Sequence, residues 1–313
     1  MSIYHYTVRR LFYAIPILIG VTLVIFILFN VVAGDPTLTL LGRYATLQQM
    51  AELRHELGLD KPLLLQYLDT LRSTFTLQFG RSWSTNQPIS QMIQVGAYAS
   101  LTLSVPAFVL ASLLSIAMAL LAAFFRDTLL DRSLVVISVI MMSVSVLAYI
   151  LFGQWVFAYK LGWFEIAGYE YGFPYFIPYI ILPAMIWIVL SIGPDVRFYR
   201  TIILDEVHQD YVRTARAKGL ANRTILFKHV LKNAMIPIIT NLVTQIPSLI
   251  LGALLIESFF GIPGLGNITL QAINNSDFPV IKAMTILSSM LYIIFNVITD
   301  ILYTLVDPRI KLN

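Results

Sequence analysis

The sequence predicts an all-α integral membrane protein with six transmembrane helices, on three observations. Of the 313 residues, 58% are hydrophobic and only 12% charged, and the mean hydropathy is +0.78, which is too apolar for a soluble domain of this length. Asp, Glu, Lys and Arg are absent from stretches 11–34, 82–125, 133–159, 171–194, 233–256, 258–276 and 283–299, each near or above the roughly 17 to 25 residues a spanning helix needs. With the N-terminus in the cytoplasm, 14 of the 21 Lys and Arg fall on the cytoplasmic side and 7 on the other, the asymmetry that orients membrane proteins.

Taken in order, the first span covers about 11–32. Arg9 and Arg10 precede it as in a signal peptide, but its apolar core exceeds the roughly 7 to 15 residues of a signal segment and predicts a retained anchor. The external segment 35–98 has structure of its own. Thr46-Leu-Gln-Gln49 fits a capping box, Gly58 a helix stop, and Asp60-Lys61-Pro62 a second helix start. Such a segment is either an inert cap or a functional loop. The second, third and fourth spans follow at about 99–125, 134–157 and 174–194, and the fifth at 235–258. Stretch 258–276 is rejected as a span, because Gly261, Pro263, Gly264, Gly266, Asn267, Asn274 and Asn275 are turn chemistry. The sixth span runs over 280–306, with Lys282 and Asp300 near its ends or facing protein. The whole of 1–313 reads as one transmembrane domain.

Between the fourth and fifth spans lies the most polar stretch, the cytoplasmic loop 195–234, which contains DEVHQDYVRTARAKGLANRTILFKHVLKN. Asp210 caps a short helix over 211–218, Gly219 stops it in the left-handed conformation, and Asn222 caps the next helix. At about 1.5 Å per residue the helix is roughly 12 Å long. Ala215 and Ala217 let another protein approach its backbone, and Arg213, Arg216 and Lys218 offer a basic rim.

Within the fifth span Asn241, Thr244, Gln245 and Ser248 share one helical face. Polar groups are unfavourable against hydrocarbon, so this face meets either a water-filled translocation path or a neighbouring helix. Glu257, where the span leaves the membrane, is either an external gate contact or an interfacial residue. Trp155, Trp163 and Trp187 read as interfacial anchors, and Asn296 and Asp300, four apart in the last span, as helix-packing groups. His5, His55, His208 and His229 are too scattered for a metal cluster, and cysteine is absent. No Lys follows a Gly, so the phosphate-binding loop of nucleotide hydrolases is missing. The chain therefore reads as no enzyme, and once the spans are set aside no basic face is left for nucleic acid.

Residues 211–220, YVRTARAKGL, followed by HVLKNAMIPIIT over 229–240, resemble the cytoplasmic signature loop of ATP-binding-cassette importer permeases of the oligopeptide, dipeptide and nickel group. Arg213 and Thr214 stand where the general pattern has Glu and Ala, and Lys232 where a proline often follows, departures typical of the peptide group. Gly34-Asp35-Pro36, LGLDKP over 57–62, Gln66-Tyr67, FGRS over 79–82 and Pro88-Ile89 are similar to the external segment of that group. GALLIESFFGIPGLG over 252–266 resembles its fifth-span exit, and Asp307-Pro308-Arg309 its closing tripeptide. The external loop and this tripeptide suggest the B-type permease subunit.

The resemblance implies a type I importer bundle in the bacterial inner membrane, with both termini cytoplasmic. Tyr211, Arg213, Thr214, Ala215, Arg216, Ala217, Lys218 and Gly219 then form the coupling helix toward the ATPase. It implies as partners a second permease, two cytoplasmic ATPase subunits that use the ATP and Mg²⁺, and an external solute-binding protein; the chain itself binds no cofactor. Peptides are the expected cargo, with nickel or glutathione as alternatives. A channel or proton-coupled carrier is the rival class, disfavoured because the charge-free stretches hold no ionisable residue at depth.

Overall fold

Long runs of Leu, Ile, Val, Ala and Phe satisfy their own backbone hydrogen bonds only as helices when water is excluded, and helices are what they form. The computed structural model describes residues 3–32, 37, 41 and 45–306. Among them the sole non-helical pairing is an isolated bridge between Arg81 and Pro88. Five helices are long and apolar enough to cross a membrane, and six spans result when one bent pair counts as a single crossing.

The helices are α1 (Ile3–Ile27, ending in a π-helical turn Leu28–Val32), α2 (Leu47–Glu56), α3 (Leu63–Thr76), α4 (Ile89–Phe124), α5 (Leu129–Ser143) and α6 (Val146–Gly153, running on as π-helix Gln154–Lys160). They continue with α7 (Ile177–Val207), α8 (Asp210–Ala217), α9 (Leu231–Leu251), α10 (Leu254–Phe259), α11 (Leu265–Asn274) and α12 (Phe278–Val306). A helical lead-in, Asn222–Thr224 and a π turn Ile225–Val230, runs without a break into α9. The motifs around 34–36 and 307–309 lie outside the described residues, as does the Asp300 side chain.

Three differences from the sequence reading have physical causes. The third span, expected to run unbroken over 134–157, is bent by 92° between α5 and α6. Val144 is extended, and Ser145 caps α6 by accepting the Ala148 amide, so side-chain chemistry restarts the helix in a new direction. The fourth span does not stop at 194: α7 continues to Val207 through Pro194, and the residues from 195 onward belong to a helix before any loop begins. Arg200 on this extension makes a two-point bridge to Asp131 of α5, at 2.7 and 2.8 Å, which gives the added turns something to hold. The fifth span is interrupted at Gly252 (φ +76°) before α10.

The single predicted domain divides into two compact units, one holding the described residues up to 97 with 268–297, the other 98–267 with those from 298. In the first, α3 lies along α1, with Phe26 and Tyr67 rings 5.5 Å apart and the Tyr67 hydroxyl donating to the Ile19 carbonyl at 3.0 Å. The capping box forms at Thr46 and Gln49, and Gly58 takes φ +67° after α2. Asp277 is 1% exposed and accepts the Ser82 and Ser84 hydroxyls at 2.5 and 2.8 Å and the Trp83 and Ser84 amides at 3.1 and 3.2 Å. Burial raises its pKa, yet these four donors outweigh it and hold the carboxyl below the usual carboxylate range.

The second unit has two cores. One joins Ala119 and Ala123 of α4, Tyr199 and Ile203 of α7, Val212 and Ala215 of α8, and Ile225, Leu226, Val230 and Ile238. The other joins Leu103, Ile150, Leu182, Ile186, Ile256 and Phe260. The first core positions the short helix, and the second holds α10 against α4, α6 and α7.

Candidate functional sites: a short surface helix and a cavity between helices

Helix α8 is built by opposing faces. Val212 and Ala215, three apart, are buried in the first core, whereas Arg213, Thr214, Arg216, Ala217 and Lys218 are exposed. Ala215 therefore packs inward against its own chain, and Ala217 is the small residue left on the open face. Gln209 rather than Asp210 occupies the N-cap position and Ala221 rather than Asn222 the next one, neither with a side-chain cap bond. Asp210 begins α8, where a carboxylate complements the helix dipole, and reaches Arg213 at 3.4 Å. The start of the helix is tethered by the Tyr211 hydroxyl, which donates to Glu206 at 2.7 Å. Burial, then this bond to a carboxylate, pushes the Tyr211 pKa up to about 12. At the other end Gly219 has φ +77° with open space where a Cβ would stand, so only backbone strain opposes a side chain there.

A second feature lies at the polar face of α9. A cavity of about 720 Å³ is lined by Trp187, Ser191, Asp195 and Phe198 of α7, Asn241 and Gln245 of α9, and the start of α10. Asn241 donates to the Tyr199 hydroxyl at 3.2 Å, and the Gln245 amide lies beside Asp195 on the cavity wall. Thr244 and Ser248 are exposed and turn their hydroxyls back to the carbonyls of Asn241 and Gln245. Of the four residues on the predicted face, two thus meet the cavity and two do not.

Asp195 was legible in the sequence only through a register. Ser191, Asp195 and Tyr199 recur every four residues on α7, and Asn241 and Gln245 do so on α9, which suits two facing helix ridges. Placing the end of the span at Pro194 hid that pattern.

Glu257 is not an exposed interfacial side chain. It is 0% exposed and accepts the Ser100 hydroxyl at 2.7 Å and the amides of Ala253 and Asn267 at 3.2 and 3.1 Å. Gly252, Gly264 and Gly266 wrap it: a Cβ on Gly264 would fall 2.6 Å from Ser100 Oγ, and one on Gly266 2.7 Å from the Leu254 backbone. The three glycines were the available signal, since such a cluster beside one acid marks a close approach of backbone to a buried group. Among the described residues no group of three or more His, Cys, Asp or Glu is arranged to hold a metal.

Comparison with known proteins gives the family. Residues 115–312 match the binding-protein-dependent transport system inner membrane component, and residues 3–89 match the N-terminal region of the same membrane components. The chain is 31% identical to the dipeptide transport system permease protein DppB of Alkalihalophilus pseudofirmus, covering 98% of this chain and 99% of that one. It is 34% identical to the oligopeptide transport system permease protein AppB of Bacillus subtilis and 32% identical to the glutathione transport system permease protein GsiC of Salmonella choleraesuis, each over 98% of this chain and 99% of the relative. The protein is a multi-pass permease subunit of the inner membrane and not an enzyme, ATP hydrolysis in such importers residing in separate subunits. By the extent of these matches, the chain belongs to the family of binding-protein-dependent transport system inner membrane components.

Proposed function

We propose that this permease carries short peptides inward, pairing with a second permease, two cytoplasmic ATPase subunits that keep the ATP and Mg²⁺, and an external solute-binding protein. Both termini lie in the cytoplasm, which puts α8 on the side of the ATPases. The observation that carries the reading is the division of α8: Val212 and Ala215 tie it to the core shared by α4, α7 and the α9 lead-in, while Arg216 and Lys218, with Arg213 beside its partner Asp210, are exposed toward acidic groups of another protein. A short rigid helix fixed on one face transmits displacement without stretching. Closure of the ATPases then moves α8 together with the spans it is packed on, and the bundle alternates its opening across the bilayer. Peptide and dipeptide permeases at similar identity support the cargo class. Glutathione, the cargo named for another relative, is itself a modified tripeptide and falls within the same chemistry.

The test is uptake by the complex reconstituted in vesicles with its binding protein. ATP-dependent accumulation of labelled di- and oligopeptides is expected, and binding-protein-stimulated ATP hydrolysis is expected to depend on α8. Accumulation of nickel without peptide uptake would overturn the cargo assignment.

A further inference from the structure

Asp195 lies eighteen residues into α7, roughly 27 Å from its first residue at about 1.5 Å per residue. It is buried at 8% exposure, and the neutral Gln245 amide stands beside it on the wall of the same cavity. Among the described residues no Lys, Arg or His comes within ion-pair distance of it. A carboxylate accepts through four lone-pair sites, so a single amide leaves most of its acceptor capacity unfilled and its charge uncompensated. The open side of that carboxylate is the cavity, where Ser191 and Asn241 add a hydroxyl and an amide, and Trp187 and Phe198 form apolar walls. Apolar walls, a few convergent polar groups and one charge make the form of a small-ligand site. An ionisable residue kept inside a membrane helix marks a pathway more often than a packing contact.

We propose that Asp195 is a substrate contact at which the protonated amino group of a passing peptide is met, with Gln245 and Asn241 positioning the carboxylate and flanking the ligand. The assignment rests on the peptide-import reading for the identity of the cation, but not for the existence of a cation site. An ammonium brings three N–H donors and one positive charge, which are the two things the Asp195 carboxylate lacks. Gln245 keeps the carboxylate oriented between passages, and its neutral amide yields to the incoming ammonium without leaving a second charge unpaired.

Two measurements on the whole reconstituted complex test this. The chain has no cysteine, so Ser191→Cys, with accessible thiols removed from the other subunits, is a single reporter in the cavity. A positively charged methanethiosulfonate is expected to modify it about 10-fold faster than a negatively charged one of the same size, and the preference is expected to vanish in Ser191→Cys/Asp195→Asn. In uptake assays at saturating binding protein, the ratio of free-amine to N-acetylated peptide uptake is expected to fall about 10-fold in Asp195→Asn. A charge preference that survives Asp195→Asn, or an unchanged uptake ratio, would overturn the site while leaving peptide import intact. If the wild type carries no peptide but the labelling preference follows Asp195, the cation site stands and the peptide reading fails. If Asp195→Asn releases the second permease on size-exclusion chromatography, the carboxylate is an inter-subunit lock and the proposal falls.

Discussion

Ser100 and Glu257 form a two-way clasp: the Ser100 hydroxyl donates to the Glu257 carboxylate at 2.7 Å and accepts the Leu265 amide at 2.9 Å. One hydroxyl thereby ties α4 to α10 and to the start of α11, across the turn between those two helices. Removing it takes one donor from the buried Glu257 carboxylate, at about 1 to 3 kcal/mol, and breaks the Leu265 link as well. Ser100→Ala is therefore expected to lower the thermal midpoint in detergent clearly. Ser112→Ala, which removes only a bond from a serine to the Phe108 carbonyl of its own helix, is expected to change it little. Equal midpoints for the two variants would refute the clasp.

The bridge between Asp131 and Arg200 makes a separable prediction. Asp131 is 3% exposed, so Arg200→Met leaves its buried carboxylate with the Asp127 amide at 3.2 Å and the more distant Arg126 charge, and is expected to cost about 1 to 3 kcal/mol. Asp131→Leu/Arg200→Met removes both charges and is expected to cost less than the single change. Denaturant or thermal unfolding of the three proteins checks the order, and a double variant weaker than Arg200→Met would contradict it.

The two faces of α8 are expected to fail differently. Ala215→Leu overpacks the core under the helix at about 1 to 3 kcal/mol and is expected to loosen the permease itself. Ala217→Leu, on the exposed face, is expected to leave unfolding unchanged while weakening ATPase retention in pull-downs. Gly219→Val places a β-branched residue at φ +77°, a strain of about 1 to 2 kcal/mol, and is expected to abolish coupled transport, whereas Arg216→Ala is expected to keep most of it as a rim charge. Normal coupled transport by Gly219→Val at wild-type insertion levels would remove α8 from the coupling role.

Asp277 carries a pH dependence. Its folded pKa lies below the usual carboxylate value, so its contribution is complete above the unfolded value near about 3.9 and is lost as pH falls through the folded one. Hydrogen exchange at the Trp83 and Ser84 amides is expected to be slow at neutral pH relative to Asp277→Asn, and the difference is expected to close as the pH is taken below about 4. A difference that persists unchanged at low pH would mean that the carboxylate charge does not hold the turn.

Topology is tested in the same cysteine-free background. Thr85→Cys and Arg223→Cys are expected to react with an impermeant thiol reagent from opposite sides of the membrane, and labelling from the same side would discard the orientation.

Much of this protein was determined by its sequence alone. Apolar stretches too long for a soluble core demand helices in lipid, Thr46 with Gln49 makes a capping box, and Gly58 and Gly219 are where the chain turns left-handed. These are local statements, set by a few consecutive residues and by the solvent. What only the tertiary structure decided depends on partners distant in the chain. Ser145 starts a helix in a new direction and bends the third span, although the apolar run through it is unbroken. Asp195 follows Pro194 and looks like the first residue of a loop, yet Arg200 finds Asp131 sixty-nine positions earlier, and with that bridge in place α7 continues and carries Asp195 into the cavity. Glu257 sits at a span end, where charge usually marks water, but Ser100, 157 residues away, and three glycines close around it. In each case the deciding term is the cost of leaving a polar group unpaired away from water, and whether a partner arrives is a property of the fold.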